Sequence, residues 1–145
     1  MNYEEMGFLI YSVVRVFNKR SQYKFAHAGI LCGQPPVLDY LFTNDGCIQN
    51  EIACALKLEP ATITSVLSNM ERDGLIERRP NENDKRVSQV FLTDKGRETR
   101  LIARGLVAEM AKECFENFTE EEIEGAIAVL TQVKENLYTA HKKQQ

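Results

Sequence analysis

At 145 residues, 43% hydrophobic and 27% charged, the chain has the size and composition of one globular domain with helical extensions, which excludes a disordered tail protein. Its net charge of −3 excludes a uniformly basic nucleic-acid coat. It leaves room for a local basic patch, because screening confines distant charges to a Debye length of about 8 Å.

The charge is unevenly spread. Residues 72–100 hold eight Lys/Arg against six Asp/Glu, whereas residues 34–71 hold one against five and residues 101–145 hold five against eight. No apolar run approaches the ~20 residues of a membrane span. The opening "MNYEEMGFLIYSVVRVFNKR" places acids before its apolar part, so it reads as an amphipathic helix and not as an export signal. A cytoplasmic protein is expected.

The first predicted helix covers residues 4–25. Its apolar set, Phe8, Leu9, Ile10, Val13, Val14, Val16 and Phe17, is wider than one buried face requires. Such a stripe implies the core on one side and a second helix or subunit on the other. Gly29 and Gly33 end it, Pro35 and Pro36 open a second helix, "PPVLDYLFTNDG", and Asp45-Gly46 marks a turn.

A short helix follows, with Ile52, Ala55 and Leu56 on one face and Ala53 small enough for close helix approach. Pro60 then suits the first position of another helix. There Ile63, Val66, Leu67 and Met70 share one face, while Ala61, Ser65, Ser68, Asn69 and Arg72 share the other, with Thr62 on its flank. Gly74 supplies a left-handed stop. Two short helices joined by a tight turn form a helix-turn-helix. Residues 61–69 carry no charge, which is unusual for a solvated helix and suits entry into a major groove about 12 Å wide.

The runs "LIERR" and "VSQVFLT" flank the polar "PNENDK" and predict a hairpin wing. Asp84 and Arg86 point the same way on extended backbone, so the carboxylate can brace an arginine suited to a narrow minor groove. From Asp94 a long helix carries Leu101, Ile102, Leu106, Val107 and Met110, with Phe115 after them. Thr119 with Glu122 forms a capping box for a last helix, along which Ile123, Ile127, Leu130, Val133 and Leu137 form a seam. The terminal "HKKQQ" is expected to fray.

Cys32, Cys47, Cys54 and Cys114 include no CxxC pair; thiols buried as small hydrophobes are expected, with a redox-sensing role for Cys32 or Cys47 as the open alternative. No catalytic, metal-binding or cofactor-binding residue is assigned, and no effector-binding residue can be named. His27, Arg15 and Tyr40 are candidates to border a ligand cleft. On the residues alone two functions stand: DNA-binding regulation, and a winged-helix protein-interaction module without DNA binding. A thiol enzyme finds no support, since no cysteine is spaced with a histidine in a recognisable motif.

The stretches "GQPPVLDYL", "QNEIACALKLEPATITSVLSNMERDGLIERR", "NDKRVSQVFLTDKG" and "FTEEE" together resemble the MarR-type winged-helix transcriptional regulators over nearly the whole chain. The resemblance implies a mainly α fold with a small β wing. Residues 34–96 would form the winged-helix DNA-binding lobe, and residues 1–33 and 97–145 a helical dimerisation region. It implies a homodimeric regulator, typically a ligand-responsive repressor, on a pseudo-palindromic site in double-stranded DNA. By position, Thr62, Thr64, Ser65 and Asn69 correspond to groove or phosphate contacts and Gln49 to a phosphate contact. Asp84, Lys85 and Arg86 correspond to the wing tip. A small phenolic or anionic effector would occupy a cleft bordered by the first helix, the "PPVLDYL" helix and the long helix after Gly96. Glu59 and Ser65 stand where relatives often have a hydroxyl cap and an arginine, which implies a different base preference. The first helix lacks the cysteine of peroxide-sensing members, and no His-x-x-x-His occurs.

Overall fold

Asn2 accepts hydrogen bonds from the backbone N–H groups of Glu4 and Glu5, and this cap starts α1 (Tyr3–His27) in the computed structural model, which describes residues 2–142. There follow α2 (Gln34–Thr43), β1 (Cys47–Ile48), α3 (Gln49–Leu56), α4 (Pro60–Arg72), β2 (Ile76–Pro80), β3 (Ser88–Leu92), α5 (Asp94–Cys114) and α6 (Glu120–Lys142). The chain divides into two compact units, one ending at Met110 and the other beginning at Ala111. The expected fraying concerns a terminus of which residues 143–145 lie outside the described residues.

In the first unit, α2 buries Gln34, Val37, Leu38 and Leu41, one face at helical spacing. Gly46, at φ +81, turns the chain into β1, which pairs antiparallel with β3 through Cys47 opposite Val90. The sheet order is β1-β3-β2, and the hairpin register runs from Ile76 opposite Leu92 to Pro80 opposite Ser88. The main core gathers Leu38, Leu41, Ile52, Ile63, Leu67, Met70, Ile76 and Val90 from α2, α3, α4 and the sheet.

Two expectations are corrected here. In α3 the buried pair is Ile52 and Ala53, and Ala55 is exposed. At 100° per residue Ala53 and Ala55 lie on opposite sides of Ile52, and the helix turns its Ala53 side inward. The cysteines are also not buried as a set: Cys32, Cys54 and Cys114 are exposed and Cys47 is half-buried. Burial, aided by the Glu51 carboxylate, pushes the Cys47 thiol above its ordinary pKa, which keeps it protonated and a poor nucleophile.

Gly74, Thr93 and Gly96 build the junction of α4, β2 and α5. Gly74, at φ +73, ends α4, and the Leu75 N–H returns to the Met70 carbonyl at 2.8 Å. Thr93 donates to the Gly74 carbonyl (2.7 Å) and accepts from the Gly96 N–H (3.0 Å), capping α5 while fastening it to the end of α4. The Lys95 ammonium donates to the Asp73 carbonyl at 2.7 Å.

A second cluster, Phe25, Ile30, Ala103 and Met110, joins the end of α1 to α5. Asp39 of α2 accepts from Arg100 and Arg104 of α5, and the Arg100 guanidinium lies 3.7 Å from the Phe42 ring centre. Burial pushes the Asp39 carboxyl up, but the hydrogen bonds from Arg104 and Arg100 outweigh it and hold the pKa below its ordinary value. Along α1 only Ser21 and Phe25 are buried. Phe8, Leu9, Val13 and Val16 are exposed, so the expectation of a core-facing side along the whole stripe fails. Its first half has no cover within the first unit.

In the second unit, Thr119 and Glu122 form the expected capping box. The Thr119 N–H donates to the Glu122 carboxylate (2.8 Å) and the Glu122 N–H to the Thr119 hydroxyl (3.3 Å). Of the α6 seam, Ile123 and Val133 are half-buried, while Ile127, Leu130 and Leu137 are exposed.

Candidate nucleic-acid interface

The helix-turn-helix is built from α3, a turn through Lys57 in left-handed conformation (φ 53), and α4. Glu51 accepts from the Ile48 N–H at 2.8 Å and so starts α3. Pro60 opens α4 without a side-chain cap from Glu59. Ile63, Leu67 and Met70 anchor α4 in the core, which leaves Thr62, Ser65 and Ser68 exposed and Asn69 half-buried. Among the described residues none hydrogen-bonds the hydroxyls of Thr62, Ser65 or Ser68.

Thr64 differs. Its hydroxyl donates to the Pro60 carbonyl (2.8 Å) and accepts from the Gln49 amide (2.7 Å). The Gln49 carbonyl oxygen in turn accepts from Arg78 at 3.3 and 3.4 Å, and Arg78 pairs with Glu71 at 3.3 Å. Gln49, Thr64 and Arg78 thus lock α3, α4 and β2 together. Arg78 was missed by sequence reasoning, because its partners lie 29 and 7 residues away and no local pattern joins them.

The wing tip is ordered by its own side chains. Asn81 accepts from the N–H groups of Asn83 (2.8 Å) and Asp84 (3.2 Å), and the Val87 N–H donates to the Asp84 carbonyl (2.9 Å). The backbone at Asp84–Arg86 is therefore a turn, not the extended segment expected. Asp84 nevertheless braces Arg86. It accepts from the Arg86 N–H (3.0 Å), Nε (3.1 Å) and Nη2 (3.2 Å). The Arg86 side chain is 91% exposed, and Lys85 beside it is exposed too.

The Arg86 side chain, with its N–H, holds the Asp84 carboxyl below its ordinary pKa. For a carboxyl with a lowered pKa the pairing is complete above the ordinary value and is lost as pH falls through the lowered one. The brace is therefore intact throughout the neutral range. On the hairpin flank, Arg79 pairs with Glu77 and stacks 4.6 Å from the Phe91 ring centre.

A cavity of about 490 Å³ opens between α1, the start of α2 and α5, lined by Phe17, Asn18, Ser21, Gln22, Phe25, Cys32, Gly33, Pro35, Pro36, Val107 and Met110. It occupies the place expected for a ligand cleft, but Arg15, His27 and Tyr40 are not in its wall. His27 is exposed and bonded to the Tyr23 carbonyl (2.8 Å), and Tyr40 packs against the main core. No charged side chain lines the cavity. Among the described residues no cluster of His, Cys, Asp or Glu could hold a metal ion, and no helix is long and apolar enough to cross a membrane.

Comparison with known proteins places this geometry. Residues 34–88 match the MarR family model. The uncharacterized HTH-type transcriptional regulator YdgJ of Bacillus subtilis is 30% identical over 121 residues, 83% of this chain and 74% of its own. The HTH-type transcriptional repressor YetL of the same organism is 26% identical over 137 residues, 92% of this chain and 81% of its own. A putative MarR family regulator from Listeria monocytogenes, solved in complex with a 26mer DNA, superposes with a TM-score of 0.76 at 28% identity, over 88% of this chain and 85% of that one.

Proposed function

The chain belongs to the MarR family of transcriptional regulators, and from that premise we propose that it represses transcription in the cytoplasm by binding, as a homodimer, a pseudo-palindromic site in double-stranded DNA. The observation that carries this reading is the outer face of α4. Thr62, Ser65 and Ser68 offer unengaged hydroxyls there, on a run with no charged residue from 61 to 69. A solvated helix gains solubility and helix propensity from Glu, Lys and Arg. Short polar side chains are what a helix seated in a major groove can use against base edges and phosphates.

In this reading residues 34–96 are the DNA-binding lobe. Thr62, Ser65 and Asn69 face the groove. Gln49 stands in the first turn of α3, where free backbone N–H groups favour a phosphate, and its bond to Thr64 sets the angle between the two helices. Asp84, Lys85 and Arg86 enter the flanking minor groove, whose negative potential attracts arginine. Residues 1–33 and 97–145 make the dimerisation region, supported by the uncovered apolar residues of α1 and α6. The cavity is suited to a small effector. Its mostly apolar, uncharged wall favours a neutral phenolic molecule over an anionic one, since a buried charge needs a partner.

Salt dependence tests the reading. Six to ten phosphate contacts per dimer predict a slope of log K against log[salt] of about −5 to −9, and a loss of roughly 10³–10⁵ in affinity between 50 and 200 mM salt. The measurement is fluorescence anisotropy on genomic fragments retained in a gel-shift. Retention of no fragment, or a slope near zero, would remove DNA as the partner.

A further inference from the structure

Gln34 is only 1% exposed, and with Ser21 it is one of two buried polar residues among the described ones. Its amide bridges two pieces of chain. The carbonyl oxygen accepts from the Leu31 N–H at 3.0 Å, and the NH₂ group donates to the Asp73 carboxylate at 3.2 Å. Asp73 is the residue that closes α4. Packing alone does not call for glutamine here, because an apolar residue of similar size would fill the space without burying an amide. Only a side chain that accepts on one end and donates on the other serves Leu31 and Asp73 together.

The neighbours of Gln34 matter as much. Cys32, Gly33, Pro35 and Pro36 form one wall of the cavity. Gly33 lies so close to α4 that a Cβ there would meet the Val66 side chain at 2.8 Å. The Cys32–Pro36 segment therefore meets α4 at Val66, through Gly33, and again at its cap residue Asp73, through Gln34, about 10 Å apart along the helix axis at 1.5 Å per residue. Two contacts that far apart set both the position and the tilt of the helix. Resting on the DNA-binding reading above, we propose that Gln34 is a positioning residue: its bond to Asp73 holds α4 at the angle that sets the spacing of the two half-sites a dimer can engage.

The test uses the full chain and selection of bound DNA from a random pool, followed by anisotropy on the selected site. Wild-type protein is expected to select one half-site spacing. Gln34→Glu turns the bridge into two opposed carboxylates. It is expected to weaken binding to that site about tenfold, as loss of a hydrogen bond to a charged group does, and to broaden the selected spacing. Gln34→Glu combined with Asp73→Asn rebuilds the bond with donor and acceptor exchanged, and is expected to recover the wild-type spacing and most of the affinity. Gln34→Leu fills the same space without the link and carries the test if the charge clash prevents folding; it too is expected to broaden the spacing.

If wild-type protein selects no DNA, the DNA-binding reading fails and takes this inference with it. If wild-type selects a site while folded Gln34→Glu or Gln34→Leu protein selects the same spacing with the same affinity, only the inference is overturned. A double variant that melts like wild type but keeps the broadened spacing overturns it as well, because loss of the bond would not then be the cause.

Discussion

Gly96→Ala is expected to destabilise the chain by about 3 kcal/mol, the upper end of the usual cost of forcing atoms into a packed site. A Cβ at this position would stand 2.1 Å from the Leu75 carbonyl oxygen and 3.1 Å from a Leu92 methyl carbon. The oxygen belongs to backbone and cannot swing aside. That carbonyl also accepts from the Thr93 N–H at 3.1 Å, so moving it breaks a bond that positions the start of α5. Helix propensity works in the opposite direction, since alanine is favoured over glycine inside a helix by about 1 kcal/mol. Sterics win because the clash lies far inside van der Waals contact, where repulsion rises steeply. Gly105, in the same helix, supplies the control: a Cβ there meets nothing within 4 Å, so Gly105→Ala is expected to be neutral or stabilising. Urea unfolding of both variants beside the wild type measures the difference. Equal midpoints for Gly96→Ala and wild type would show that the α4–β2–α5 junction is looser than its geometry implies.

Arg86→Ala is expected to weaken operator binding by roughly 1–3 kcal/mol for each protomer's wing and to flatten the salt slope by about 1 for each. Stability should stay within about 0.5 kcal/mol of wild type, as for most surface substitutions, because the side chain is 91% exposed. Arg86→Lys should not restore binding in full. An ammonium cannot reproduce the two-point contact that Nε and Nη2 make with Asp84, so the charge would no longer be held in one direction. Anisotropy titrations at three salt concentrations separate the cases. If Arg86→Ala bound as tightly as wild type at every concentration, the wing would have no part in the complex.

The residues that could be read from the sequence are those whose structure is decided locally. Pro60 and Gly74 bracket α4 because each acts through its own backbone angles. The Ile63, Leu67 and Met70 face follows from a 100° period, and the Thr119–Glu122 box closes within one turn. The two strands of the wing show because each is long enough to alternate. By contrast β1 has only two residues, too few to carry a period, and exists because Val90 and Gln89 offer it an edge. The rotation of α3 that buries Ala53 and exposes Ala55 depends on what α4 presents to it.

The polar links escaped for the same reason. Gln49 with Thr64 and Gln34 with Asp73 span 15 and 39 residues, and nothing near either residue announces its partner. The Asp84–Arg86 brace was anticipated for a reason that the backbone does not follow. The two residues meet through a turn and an N–H bond to the carboxylate, not by sharing a face of extended chain. The exposed cysteines show the limit of composition: thiols are often buried, yet burial is a property of the position and not of the residue.

Whether α4 and the wing tip address one duplex together is decided most directly by footprinting the protein on its selected operator with major-groove and minor-groove reagents. The expected pattern is two protected major-groove segments, centred about 10–10.5 base pairs or a multiple of that apart, each flanked by a protected minor groove that Arg86→Ala alone exposes. Protection of the major groove with unprotected flanks, or flanks that stay protected in Arg86→Ala, would contradict it.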